Sequence, residues 1–382
     1  MLERLERLFQ VTRDHHKTVP ALSGLRGFAV FLVFLSHYAA QSATLAAPGG
    51  VTSRVTPTLV EMGSVGVDIF FVLSGYLIYG ALLRTSAPLR QFFKRRFVRI
   101  YPAFACVLAL YVVLALLLPD QERLPDQVLP AILYVIANAA LLPGIFDITP
   151  LITVAWSLSY EAFFYLVAPA WVYWLGMRSR TATIRIAALG VLAVSGLLVA
   201  GWLESDRLAL VMFVGGMLVY ELEGRARRTP TVPISVAAAS AGLLIPILAA
   251  LDAPLAIRLG MLLLACTLLV VHALGSRTLT ARLLSVAPVR WLGNMSYSYY
   301  LLHGLTLKAF FALTGGLLPA GPGHEIWFWG VLPVAWAVTV IPSLGLFLLV
   351  EKRYSFPTTR QPSTAASVAF AAPVGAGPEK LV

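Results

Sequence analysis

Apolar residues run continuously, not alternately, along most of this chain. Eleven runs fall near residues 20–41, 65–83, 100–118, 129–143, 153–175, 186–202, 208–220, 233–250, 257–274, 295–314 and 326–350. A helix needs about 20 apolar residues to cross bilayer hydrocarbon. Continuous runs exclude a β-barrel, whose strands alternate. The pattern predicts an all-α, polytopic transmembrane helix bundle.

The charged residues between the runs set the number of spans. With the N-terminus inside, the loop carrying Arg84, Arg90, Lys94, Arg95, Arg96 and Arg99 is inside, and the loop with Asp120, Glu122 and Asp126 is outside. If 129–143 spans, the loops with Arg178, Arg180 and Arg185 and with Arg225, Arg227 and Arg228 fall outside, which breaks the positive-inside rule twice. If it does not, both return inside, as do Arg277, Arg282, Arg290, Lys352 and Arg353. The run contains Pro130, Asn138 and Pro143. The expectation is ten spans, both termini cytoplasmic, and 129–143 as a re-entrant half-segment whose backbone is buried in protein or lines a wet cavity. Residues 1–19 read as a cytoplasmic amphipathic segment, 20–355 as the membrane domain, and 356–382 as a disordered cytoplasmic tail.

Composition narrows the function classes. The chain is 59% hydrophobic and 12% charged, against about 25% charged in soluble domains. The net charge of +11 is read as the cytoplasmic rim of a membrane protein, with no nucleic-acid partner. Cys106 and Cys266 lie in apolar runs without CxxC or Cys/His spacing, so no disulfide framework and no metal is expected. The first run, with Arg and His inside it, is expected to be a retained helix, not a cleaved signal.

Within the apolar runs, costly polar residues mark candidate chemistry. Arg26 and His37 are eleven residues apart, on one helix face and about 16 Å apart along the axis. In GSVGVDIFFVLSGYLIY, Asp68 opens the second span with Ser74 deeper in it. Asp68 is expected at the level of His37, either orienting the imidazole or capping the helix. In FFKRRFVRIYP, Arg95, Arg96 and Arg99 cluster at one helix end; planar guanidiniums suit phosphate, and simple membrane anchoring is the other reading. In WSLSYEAFFY, Ser157, Glu161 and Tyr165 share a face beside Trp156. Glu161 is read as functional or as a partner for Arg26. In RWLGNMSYSYYLLH, Asn294, Ser296, Tyr297, Ser298, Tyr300 and His303 hold a ligand or join helices.

These stretches together resemble the acyltransferase-3 family of integral membrane acyltransferases. ALSGLRGFAVFLVFLSHYA is similar to its first-helix signature, an Arg, ten residues, then a His. The Val-Asp-aromatic-Ser-Gly, Arg-x-x-Arg, Trp-Ser-Leu-x-x-Glu and Ser-Tyr-x-x-Tyr-Leu-x-His elements follow in order, from about residue 20 to 355. The resemblance implies transfer of an acyl group, usually acetyl from acetyl-CoA, to a carbohydrate hydroxyl. Family members modify lipopolysaccharide O-antigen, peptidoglycan, exopolysaccharide, periplasmic glucans, Nod factors and macrolide antibiotics. A bacterial inner membrane is the implied location. Some members carry a C-terminal SGNH-type esterase domain, expected here to be absent or supplied by another protein.

The residues permit a mechanism. Arg95, Arg96 and Arg99 are expected to take the CoA phosphates, with Arg26 ordering the donor. His37 is the expected general base, oriented by Asp68 or Glu161. Ser74, Trp156, Asn294, Tyr297 and His303 are the expected substrate side, and outer loops such as 42–62 and 315–325 are the expected determinants of the acceptor. An acyl-histidine intermediate is an open alternative to direct transfer. A transporter of acyl groups or glycans, and a glycan polymerase or ligase, are the rival classes.

Overall fold

The computed structural model describes residues 6, 8–9, 19–45, 49–84, 88–118, 124–203, 210–226, 253–275, 278–315, 317 and 325–355. The expected tail, the run 233–250 and most of the expected N-terminal segment lie outside the described residues. Helices account for almost all of the rest, and no strand forms among them. In chain order they are α1 Pro20–Gln41, α2 Val51–Arg84, α3 Leu89–Leu117, α4 Val128–Ala139, α5 Ala155–Pro169, α6 Ala182–Leu203, α7 Val211–Ala226, α8 Leu255–Leu274, α9 Leu279–Leu284, α10 Ala287–Asn294, α11 Ser296–Thr314 and α12 Ile326–Leu346. A π-helical turn, Ala170–Trp174, continues α5, and a π-helical segment, Phe347–Ser355, continues α12.

Six of these helices, α1, α2, α3, α6, α8 and α12 with its continuation, are long and apolar enough to cross a membrane. α5, α7 and α11 lie in expected runs but are shorter or more polar. In α11 the polarity faces inward: every residue from Ser296 to His303 is buried. The sequence centre of gravity is also the structural one. The apolar windows of α1 and α2 are 61% and 72% buried, against 17% in α6. α1 and α2 pack along each other, α9 to α11 close over α1, and α7 closes over α2.

Two expectations change here. The stretch 42–62, expected as an outer loop, supplies the first turns of α2, which starts at Val51 and runs through Pro57. At 1.5 Å per residue its 34 residues extend about 51 Å, well beyond the ~30 Å hydrocarbon layer. The proline sits in the second turn, inside the helix, where its missing N–H removes the bond that residue 57 would otherwise make to the Ser53 carbonyl. The second change is the level of Asp68. A Cβ on Gly63 would meet the Ser36 side chain at 2.5 Å, and one on Gly66 would meet the Ala29 carbonyl at 2.5 Å and Val33 at 2.9 Å. So position 63 faces position 36, and Asp68 lies about six residues, roughly 9 Å, further down the helix than the level of His37.

The short apolar run behaves as its length dictates. α4 has 12 residues, about 18 Å, too short for a span. It ends in a turn where Leu141 (φ 56°) and Gly144 (φ 91°) adopt left-handed backbone. At Gly144 a Cβ would also meet the Trp156 carbonyl at 2.7 Å. Asn138 is buried and ties the return: its Oδ1 accepts from the Leu151 N–H at 2.7 Å.

Candidate active site

A polar seam lies between α1, α2, α3, α5 and α11, and two adjoining small cavities open along it. One, of about 70 Å³, is lined by Arg26, Ser74, Arg96, Arg99, Glu161, Tyr165 and Tyr297, with Leu77, Ile78 and Ile100. The other, of about 60 Å³, shares Arg26, Ser74, Glu161 and Tyr297 and continues past Phe70 to Ser157, Ser296 and Tyr300.

Helical spacing brings these groups together. Ser157, Glu161 and Tyr165 recur every four residues on α5, so one face presents a hydroxyl, a carboxylate and a phenol. Glu161 Oε1 accepts from Ser74 at 3.0 Å and from Tyr165 at 2.6 Å. Arg26 donates from Nε and Nη2 to Ser296 Oγ, both at 3.2 Å, and lies 5.7 Å from the centre of the Phe70 ring. Tyr297 donates to the Ile100 carbonyl at 2.9 Å. The Ser157 and Tyr300 hydroxyls are 2.7 Å apart.

Three guanidiniums reach the larger cavity. Arg99 is ion-paired through Nη1 with Glu351, whose other oxygen accepts from the Ser298 N–H at 3.1 Å and its hydroxyl at 2.5 Å. Arg96 lies over the rings of Phe92 and Tyr165, at 5.6 and 5.7 Å, and its buried Nε has no hydrogen-bond partner. Counting Arg26, Arg96 and Arg99 against Glu161 and Glu351 leaves one net positive charge. The cavity therefore suits an anion, and planar guanidiniums suit phosphate or carboxylate.

The other end of the seam holds imidazoles. His37, half-buried on α1, has its ring centre 5.0 Å from that of His303 on α11. His303 is fully buried, and Tyr300 lies one turn below it with ring centres 6.1 Å apart. Arg26 with Ser296 and His37 with His303 are thus two rungs between α1 and α11. The Ser157–Tyr300 pair stands between them.

Of the remaining sequence candidates, Asp68, Arg95, Trp156 and Asn294 line neither cavity, and Glu161 falls at the arginine end. Asp68 is buried on α2 within electrostatic range of Cys266 on α8. Glu161 lies one turn beyond Ser157 on the side away from His303, so it belongs to the arginine end. Arg95 is exposed and lines neither cavity. Trp156 packs its ring edge-on to Tyr160 at 5.7 Å. The Asn294 side chain donates to the Phe9 carbonyl at 3.0 Å, beside the Arg290–Glu6 ion pair. Glu351 is the residue that the apolar pattern hides, because it stands directly before Lys352 and Arg353 and reads as part of the charged rim. Its signal is a lone carboxylate in the last turn of a long apolar run.

The family model described as an acyltransferase domain, of the acyltransferase-3 family, matches residues 19–350. The chain belongs to the acyltransferase-3 family. The matched stretch begins just before α1 and ends beside Glu351, so it contains the whole seam. The chain is 28% identical over 340 residues to the peptidoglycan O-acetyltransferase OatA of Listeria monocytogenes, covering 77% of this chain and 50% of that protein. It is 29% identical over 328 residues to the putative peptidoglycan O-acetyltransferase YrhL of Bacillus subtilis, covering 76% and 49%. It is also 34% identical over 158 residues to the acyltransferase MdmB of Streptomyces mycarofaciens, covering 40% and 39%. The chain spans at most about half the length of these relatives. No solved structure matches the chain.

Proposed function

We propose that this chain is a multi-pass O-acyltransferase of the bacterial cytoplasmic membrane. It moves an acetyl group from cytoplasmic acetyl-CoA to a hydroxyl of a cell-envelope glycan. The observation that carries the reading is the convergence of Arg26, Arg96 and Arg99 on one cavity that continues through Ser74, Glu161 and Tyr297 to Ser157 and Tyr300. The names of the relatives, two of them given as peptidoglycan O-acetyltransferases, one putative, support the acceptor class. Both termini and the Arg96–Arg99 end face the cytoplasm, in keeping with the distribution of basic residues across ten spans.

In this reading Arg96 and Arg99 bind the donor phosphates at the cytoplasmic end, in charge-assisted hydrogen bonds. Arg26 has five N–H donors, and two nitrogens already face Ser296. The remainder are available to the thioester carbonyl, where negative charge develops during attack. His37 takes the proton of the acceptor hydroxyl as its oxygen attacks the carbonyl carbon. The C–S bond then breaks, and CoA leaves as the thiol once it has that proton.

The test is purified protein in lipid nanodiscs with acetyl-CoA and a peptidoglycan fragment. Release of CoA thiol that requires the acceptor, with acetyl appearing on the glycan, is expected. Binding of acetyl-CoA without thiol release, whether the acceptor is the peptidoglycan fragment or a macrolide, would instead favour transport.

A further inference from the structure

The proposed mechanism gives no role to His303, although it is a fully enclosed imidazole beside the seam. Its Nδ1 lies 3.1 Å from the Tyr299 carbonyl and 2.9 Å from the Tyr300 carbonyl. Carbonyl oxygens only accept, so Nδ1 carries the proton and Nε2 is left as a lone pair. That Nε2 is buried and has no hydrogen-bond partner. A buried acceptor without a partner is unfavourable and is rare in native proteins.

Most of the surroundings cannot supply a donor. The Tyr299 ring stacks on His303 at 5.4 Å, and its hydroxyl is engaged with Thr339 at 2.7 Å. The Tyr300 hydroxyl is engaged with Ser157 and the Val154 carbonyl. The neighbour that fits is His37, whose ring centre is 5.0 Å away at 64°. That separation is what an N–H···N bond of about 3 Å between two imidazoles requires. A bridging metal would want a third ligand, and no three His, Cys, Asp or Glu side chains gather among the described residues.

We propose that His303 is the positioning residue for His37. Its fixed lone pair accepts the N–H of His37 after a turn of the His37 ring about χ2, a soft torsion. His37 is thereby held in the one tautomer that leaves its other nitrogen facing the acceptor hydroxyl. When that nitrogen takes the hydroxyl proton, the bond to His303 becomes charge-assisted and stronger. No proton is lost or gained by His303 in the cycle. This role rests on the proposed acyl transfer, and the pairing itself does not.

The experiment is ¹⁵N NMR of histidine-labelled full-length protein in nanodiscs, with kinetics on the same samples. The His303 signals, assigned by their loss in His303→Asn, are expected to report protonated Nδ1 and unprotonated Nε2. The Nε2 shift is expected to move in His37→Ala. An Nε2 signal unmoved by His37→Ala, or a protonated Nε2, would overturn the pairing whether or not the protein transfers acetyl. In kinetics, His303→Asn keeps a group at the Nδ1 position but offers nothing at Nε2, whereas His303→Gln can place a carbonyl oxygen there. Asn is expected to lower kcat about 10- to 100-fold, the worth of a hydrogen bond to a charged group, with KM for acetyl-CoA unchanged, and Gln to recover part of it. Equal loss in both variants would mark a packing role only. An intact pair without any transfer would instead count against the proposed function.

Discussion

Glu351 offers the sharpest quantitative test. Its side chain is fully buried and accepts from Arg99 and twice from Ser298. Glu351→Gln keeps the volume and one acceptor but removes the charge and sets an NH₂ or a neutral oxygen against the guanidinium. Breaking a buried ion pair from one side costs about 3–5 kcal/mol, because the surviving charge is stranded. Arg99 is 17% exposed, so partial hydration places the loss near the lower limit, about 3 kcal/mol. That is a large share of the ~5–15 kcal/mol typical of folded domains, and at about 2 °C per kcal/mol it lowers the melting temperature by ~6 °C. Thermal unfolding in detergent, followed by tryptophan fluorescence, reads this directly. The companion is Arg99→Met, and the double variant completes the cycle. Removing both charges leaves no stranded partner, so the double variant is expected to recover most of what the worse single variant lost. Single variants within about 0.5 kcal/mol of the parent, or a double variant equal to the sum, would refute a buried, coupled pair.

Other outcomes follow from the same geometry. His37→Ala is expected to abolish acetyl transfer with normal membrane insertion; retained turnover removes His37 as the base. Arg96→Ala, which leaves the Arg99–Glu351 pair intact, is expected to raise KM for acetyl-CoA about tenfold, as for one charge-assisted contact, and to leave acceptor KM nearly unchanged. Equal effects on both substrates would make Arg96 a membrane anchor. At Gly216 a Cβ would meet the Val72 carbonyl at 1.9 Å and the Tyr76 nitrogen at 2.6 Å. Gly216→Ala therefore forces α2 and α7 apart, and a loss of about 1–3 kcal/mol is expected in the same thermal assay. A topology reporter fused after Asp147 is expected on the outer side, and a cytoplasmic reading would restore α4 as a span.

Residue types inside apolar runs proved more legible than their pairings. Arg26, Ser74, Glu161 and Tyr297 stand out in the sequence because a bilayer tolerates such groups only when they face protein, and the structure brings these four to shared cavity walls. Pairings depend on register, which periodicity does not carry. Asp68 and His37 each sit near an end of a run, yet the contact of Ser36 with Gly63 slides them apart by more than a helical turn. Asn294 looks like a ligand group until the Phe9 carbonyl takes its amide N–H. Glu351 was illegible for a different reason. Its segment is π-helical, so a 3.6-residue period does not report the direction its side chain takes. The start of α2 was hidden by small and polar residues around Gly49, Gly50 and Pro57 that read as loop chemistry.

The small size of the two cavities bears on something other than catalysis. A bilayer crossed by a file of polar groups risks becoming a leak, which a cell that depends on its proton gradient cannot tolerate. Here the file is interrupted by a fixed guanidinium, Arg26, held by Ser296 between the arginine end and the histidine end. A fixed positive charge in a narrow polar passage repels protons and metal cations, as arginines do in water-selective pores. The residue proposed to order the donor would therefore also act as an insulator. A neutral replacement at position 26 would expose the membrane potential to the seam as well as weaken donor binding.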